Sequence, residues 1–140
     1  EHLRGKVAAT GDPDYYDGVA LNLHGFYAGV ERLLETVARE IDGAAPQGAD
    51  WHREILVQCS TSLPGIRPAV LGVATREALD EYRAFRHLVR NVYAFALRPG
   101  RLDALARELR DCYDRLAADV ARFADLLESL GTDSAASAPR

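Results

Sequence analysis

The sequence predicts an all-α protein, an antiparallel helical bundle of three long helices and one short helix. Apolar residues recur at steps of three and four along most of the chain, which is the spacing of amphipathic helices. Glycine and proline interrupt this pattern at only a few places, where helices are expected to end. No segment alternates apolar and polar residues as a half-buried strand does. Short connections between helices favour an antiparallel bundle.

The first long helix is predicted to begin at Asp12-Pro13 and to end at Gly43. Asp accepts hydrogen bonds from the first free N–H groups of a helix, and Pro fits its first turn. The apolar face of this helix consists of Val19, Leu23, Phe26, Val30, Leu33, Val37 and Ile41, widened by Tyr27 and Leu34.

The middle of the chain is predicted to contain the short helix and the second long one. After a loop at residues 44–50, Asp50 is placed to cap a short helix that begins at Trp51. A connection rich in proline and glycine follows at residues 62–68, and Thr75 then caps the second long helix. The apolar face of that helix consists of Ala78, Tyr82, Phe85, Val89, Val92 and Ala96.

The third long helix is predicted to follow Pro99-Gly100, which stops or sharply bends the helix before it. Its apolar residues are Leu102, Leu105, Leu109, Cys112, Leu116, Val120, Phe123, Leu127 and Leu130. Gly131 is expected to end it, so we expect one domain over residues 1–130 and a flexible C-terminal tail over residues 131–140. The sequence contains no Met. We therefore expect that Glu1 is not the natural N-terminus and that a native N-terminal helix is missing.

The composition argues against several classes of function. A net charge of −4 argues against a protein that coats nucleic acid by bulk electrostatic attraction. The two cysteines, Cys59 and Cys112, have no metal-ligand spacing, so we expect reduced thiols, no metal and no cofactor. No apolar run is long enough to span a membrane, and no signal peptide is recognisable. These features favour a cytoplasmic protein without a membrane partner.

The second long helix carries a cluster of cationic and polar residues on the side opposite its apolar face. Arginine is a planar, permanently charged group that suits phosphate, so the cluster predicts a site for an anion. The alternative is an ordinary solvated face whose arginines pair with Asp80, Glu81 or the acids of the last helix. The cluster consists of Arg83, Arg86, His87, Arg90 and Asn91, with Tyr93 close to Arg86 at its edge.

Three histidines lie on the predicted helices. His87 lies among arginines and is a candidate base or hydrogen-bond donor. His24 is expected to be structural, and His52 is expected to be a cap or a surface residue.

Residues 85–93, which read FRHLVRNVY, resemble the signature of the HEPN superfamily and, within it, of the HepT-like ribonuclease toxins. That signature is an Arg followed directly by a polar residue, with a His a few residues later. In HepT proteins a Tyr comes two positions after that His. Arg86, His87 and Tyr93 match the signature, whereas Asn91 stands where the family has His. Leu21 to Arg32 also resembles the family's long helix, and the resemblance extends over Asp14 to Leu130.

The resemblance implies a homodimer in which two motif helices face each other across a positively charged cleft. It implies a toxin that is a metal-independent endoribonuclease, cleaving RNA by attack of the ribose 2′-OH on the adjacent phosphate. Arg86 would then bind the phosphate, with His87 orienting it or sharing the proton transfer, and Arg83 and Arg90 would bind RNA. The partner would be an MNT-type nucleotidyltransferase antitoxin that adds AMP to Tyr93.

The departure at Asn91 leaves three alternatives open, because an amide does not exchange protons near neutral pH. His87 takes over the proton transfer, or cleavage proceeds slowly through phosphate positioning alone. In the third alternative the protein is a catalytically inactive HEPN module that binds RNA, nucleotide or a partner protein.

Overall fold

Helices form nearly all the regular structure in a computed structural model of the protein, which describes residues 13–91 and 99–137, apart from the side chains of residues 13, 88–91 and 99. Within these ranges no strand is present, and Leu63 and Arg67 form only an isolated bridge. The predicted all-α bundle of three long helices and a short one is confirmed. The helices are α1 (Pro13–Val37), α2 (Trp51–Cys59), α3 (Val73–Asn91) and α4 (Pro99–Ala136), and a π-helical turn at Ala38–Asp42 extends α1.

Helix α1 is the central element of the bundle, because it packs against each of the other three helices. Helix α3 in turn packs against α2 and α4. The buried face of α1 is rotated from the predicted one, since Leu33 is exposed whereas Tyr27 and Leu34 are fully buried. Glu31 also lies on this buried face, at 2% exposure. The core consists of Ala20, Leu23, Tyr27, Val30, Leu34, Ala38, Ile55, Leu56, Cys59, Val70, Leu71, Leu79, Tyr82, Phe85, Leu102, Leu105, Cys112, Leu116 and Phe123.

The junction between α1 and α2 lies where the sequence predicts it. Gly43 takes a left-handed conformation, with φ of 85°, and its N–H donates to the Ala38 carbonyl. Only a residue that tolerates positive φ ends a helix in this way, which is why glycine stands there. Asp50 precedes α2 as predicted, but its side chain makes no capping bond. Its carbonyl instead accepts the N–H groups of Arg53 and Glu54, each at 3.0 Å.

A buried ion pair fixes the connection from α2 to α3. The Arg67 guanidinium donates from Nε to Asp42 Oδ1 at 2.5 Å and from Nη2 to Oδ2 at 2.7 Å. It also donates to the carbonyls of Gln58, Thr61 and Pro68. Hydrogen bonding from Arg67 holds the pKa of the Asp42 carboxyl below its usual value.

Two predicted helix ends are wrong. Helix α3 begins at Val73, so Thr75 lies inside its first turn and is not its cap. The reason is non-local, because Asp119 Oδ2 of α4 accepts the N–H of Gly72 at 2.9 Å and caps α3 from outside. Helix α4 continues past Gly131 to Ala136. Gly131 does not take the left-handed conformation that would end the helix there.

Candidate functional site

A cavity of about 530 Å³ lies where α1, the loop before α2, α2 and α3 meet. Helix α1 contributes one aromatic side chain, and α2 and α3 contribute most of the cationic groups. The cavity is lined by Tyr27, Ala49, Asp50, His52, Arg53, Arg83, Arg86 and His87. Three arginines and two histidines on one cavity favour an anionic ligand.

Glu31, His52 and Arg86 form the Glu31 cluster, which links the three helices around the cavity. Arg86 Nη1 lies 2.7 Å from Glu31 Oε1, and His52 Nδ1 makes a short contact with Glu31 Oε2. Arg86 Nη1 and His52 Nδ1 are 3.0 Å apart. An ionised carboxylate only accepts hydrogen bonds, so the proton of the short contact lies on His52 Nδ1. Two donors from different helices thus converge on one buried carboxylate.

Arg83, one turn before Arg86, is held by its own helix. Its Nε donates to Asp80 Oδ1 at 2.6 Å. This hydrogen bond raises the pKa of the Arg83 guanidinium, so the group stays charged. Asp80 is half-exposed and Arg83 is largely buried, at 50% and 23% side-chain exposure. The pair therefore leaves the guanidinium beside the cavity with further N–H donors available.

Two polar atoms of cavity residues are buried without a hydrogen-bond partner among the described residues: the Tyr27 hydroxyl and Arg86 Nε. Burial, and after it the nearby Glu31 charge, raises the pKa of the Tyr27 phenol, so the hydroxyl keeps its proton. Buried polar groups are nearly always satisfied in folded proteins. Unused donors of this kind at a cationic cavity are what a bound anion would satisfy.

The structure places Arg83, Arg86 and His87 on one cavity, and an anion site there stays a prediction. The side chains of Arg90 and Asn91, and the whole of Tyr93, lie outside the described residues. Arg83 pairs with Asp80, which is a contact that the alternative of a salt-bridged face expected.

Two residues of the Glu31 cluster were not predicted as site residues from the sequence. Glu31 was not singled out, and His52 was expected to be a cap or a surface residue. Glu31 lies between Val30 and Leu34 on the buried face of α1. A charged residue inside an apolar stripe needs a buried partner, and this position could have indicated that Glu31 belongs to a site. His52 is neither a helix cap nor a free surface residue. It bonds to Glu31, and its ring centroid lies 3.7 Å from that of Trp51.

A family model described as HepT-like protein matches residues 18–127, which is most of the chain and includes every cavity residue. No curated protein and no solved structure matches the sequence. In residues 13–91 and 99–137, no helix is long and apolar enough to cross a membrane. The same part of the chain contains no group of three or more His, Cys, Asp or Glu residues that would hold a metal ion.

Proposed function

The chain belongs to the HepT-like family, and we propose on that basis that it is a toxin that cleaves RNA without a metal at the cavity around Arg86. The observation that carries the proposal is the meeting of Arg83, Arg86 and His87 on one cavity. The buried Tyr27 hydroxyl, which has no partner among the described residues, adds a neutral donor to the same place. Such a set of donors suits a phosphodiester.

In the proposed reaction the ribose 2′-oxygen attacks the adjacent phosphorus while the bond from phosphorus to the 5′-oxygen breaks. The products are a 2′,3′-cyclic phosphate and a 5′-hydroxyl. Arg86 binds the phosphate and stabilises the negative charge that develops on it. Arg83 and Arg90 bind neighbouring phosphates of the RNA. His87 takes part in the proton transfer that Asn91 is unable to perform.

Glu31 is proposed as a positioning residue for Arg86. Its carboxylate engages Arg86 Nη1 at 2.7 Å, and a guanidinium has five N–H donors. Most donors therefore remain for a phosphate while the Arg86 side chain is held in one place. Preorganised charge of this kind stabilises a transition state without reorganisation during the reaction.

The proposed partners follow from the family. A homodimer would place two motif helices across one cleft in the cytoplasm, and an MNT-type nucleotidyltransferase antitoxin would transfer AMP to Tyr93. Tyr93 comes seven residues after Arg86, so on a continued helix it would lie two turns along the same face. AMP on Tyr93 would then lie over the Arg86 site and block it.

Two observations favour a second candidate, an inactive HEPN module that binds RNA, nucleotide or a partner protein. Asn91 replaces the family's proton-transfer histidine. Arg86 is also already paired with a buried carboxylate. Asn91→His separates the two candidates. Gain of cleavage would identify a site built for catalysis, and no change would favour the binding module.

The test of the proposed function is cleavage of labelled tRNA and mRNA in EDTA by wild type, Arg86→Ala and His87→Ala. We expect cleavage by the wild type and a loss of roughly 100-fold or more in both variants. Arg110→Ala is the matched control, because Arg110 is an exposed arginine on α4 that lies outside the cavity. Absence of cleavage by wild type whose Tyr93 is unmodified by mass spectrometry would reject the ribonuclease.

A further inference from the structure

His52 of α2 has the geometry of a proton-transfer group, although it lies far from the Arg-rich helix in sequence. We propose that His52 is the general base of the RNA site, that Glu31 orients it and that His87 is the general acid. This inference rests on the proposed ribonuclease function. It assigns the two proton transfers to separate histidines on α2 and α3.

The chemistry requires two groups, because one proton leaves the 2′-OH and another is delivered to the departing 5′-oxygen. Imidazole is the side chain best suited to both tasks near neutral pH. His52 and His87 line the same cavity, and Arg86 lines it with them. A phosphate held by Arg86 would therefore have an imidazole from each of two helices within the same cavity.

The ring of His52 is fixed so that one nitrogen is committed and the other is available. Nδ1 donates to the buried Glu31 carboxylate. In the described part of the chain, Nε2 has no hydrogen-bond partner, and the side chain is 25% exposed. The Trp51 ring, tilted by 34° with its centroid 3.7 Å away, further restrains the imidazole. A carboxylate that accepts from Nδ1 leaves the lone pair on Nε2, as a general base requires.

Two protons move in the proposed reaction. His52 Nε2 takes the 2′-OH proton as the bond from the 2′-oxygen to phosphorus forms. The protonated His87 gives its proton to the 5′-oxygen as the bond between phosphorus and that oxygen breaks. His52 ends protonated and His87 neutral, and exchange with water restores both. His87 is assigned as the acid because its side chain is exposed, so exchange with water can restore its proton after each turnover.

The test compares an ordinary RNA oligonucleotide with one in which sulfur replaces the bridging 5′-oxygen at the cleavage site. A thiolate leaves without protonation, so the sulfur substrate does not need a general acid. We expect His52→Asn to lower the cleavage rate by about 100-fold or more on both substrates. His87→Asn should lose a similar factor on the ordinary substrate and recover most of it on the sulfur substrate.

His52→Asn keeps an amide donor near the place of Nδ1, so we expect it still to donate to Glu31. His52→Gln is the second variant, used if the melting temperature of His52→Asn falls by more than a few degrees. His24→Gln is the matched control, because His24 is a partly buried histidine of α1 that does not line the cavity.

Each outcome supports or overturns one statement. Wild-type cleavage with an unchanged rate in His52→Asn would overturn the role of His52 and leave the ribonuclease standing. Recovery of His52→Asn on the sulfur substrate would make His52 the acid and overturn its assignment as base. Absence of wild-type cleavage on both substrates would reject the proposed function itself, and this inference with it.

Discussion

The buried carboxylate of Glu31 on α1 lies 2.7 Å from Nη1 of Arg86 on α3. The side chains are 3% and 17% exposed, so the pair is largely removed from water. Its Coulomb attraction must therefore offset a considerable desolvation cost. His52 donates to the other oxygen of the same carboxylate. The Glu31 cluster thus joins α1, α2 and α3 through one acid.

The first prediction is that Glu31 and Arg86 are energetically coupled. Glu31→Gln and Arg86→Gln should each destabilise the fold, and Arg86→Gln should cost more because it leaves the more deeply buried partner charged. In a double-mutant cycle by urea unfolding, the coupling free energy should be about 1–3 kcal/mol. The exposed pair of Arg110 and Asp114 is the control, with a coupling below about 0.5 kcal/mol expected. Additive effects of the two substitutions would contradict the prediction.

The second prediction concerns two buried tyrosines that differ in one hydrogen bond. The Tyr82 hydroxyl donates to the Leu105 carbonyl at 2.8 Å, whereas the Tyr27 hydroxyl has no partner among the described residues. Tyr82→Phe should lower the free energy of unfolding by about 1 kcal/mol. Tyr27→Phe should leave it unchanged or raise it, and should weaken RNA binding measured by fluorescence anisotropy. Equal losses of stability would show that Tyr27 has a structural partner and is not kept for a ligand.

The helices could be predicted because their signals are local. The three-and-four spacing of apolar residues, Pro13 at the start of α1 and Gly43 at its end each act within a few residues. The start of α3 could not be predicted, because its cap is Asp119, which comes from α4. Thr75 is a residue type that often caps helices, but the acceptor at the start of α3 is a carboxylate distant in sequence.

The candidate site also has one part that could be predicted from the sequence and another that could not. The Arg-rich face with Arg83, Arg86 and His87 was visible in one segment, since residues on one helix face are related by a fixed period. The pairing of Arg86 with Glu31 and His52 depends on how three helices pack, which no single segment encodes. The buried acid itself was detectable as a charge within an apolar stripe, but its partners were not.

The third prediction is that the pair of Asp42 and Arg67 makes the protein sensitive to acid. The pKa of Asp42 is lowered in the folded state, so its contribution to stability is present above the ordinary value of 3.8 and is lost as pH falls below it. Asp42→Asn should cost roughly 3–5 kcal/mol at pH 7, because Arg67 is left buried without its counter-charge. The variant should also lose less further stability in acid than the wild type does.

Urea midpoints at pH 7, 4 and 3 measure both effects of Asp42→Asn. Asp17→Asn is the matched control, because Asp17 is exposed on α1 and should leave the pH dependence unchanged. Parallel acid profiles for the wild type and Asp42→Asn would remove this ion pair as the cause.

The last prediction is that the two thiols are inert until the bundle opens. Cys59 and Cys112 are free and buried, and burial raises the pKa of each thiol to about 11. Because the thiolate is the nucleophile, Ellman's reagent at pH 8 should label the native protein slowly and both cysteines rapidly in urea. Below the ordinary thiol pKa of 9.0 both thiols are protonated in the folded and the unfolded chain. As pH rises from 9.0 toward 11 the unfolded chain ionises first, so the free energy of unfolding should fall. Rapid labelling of native protein would show that the α1 to α4 core opens readily, since the two cysteines lie on α2 and α4.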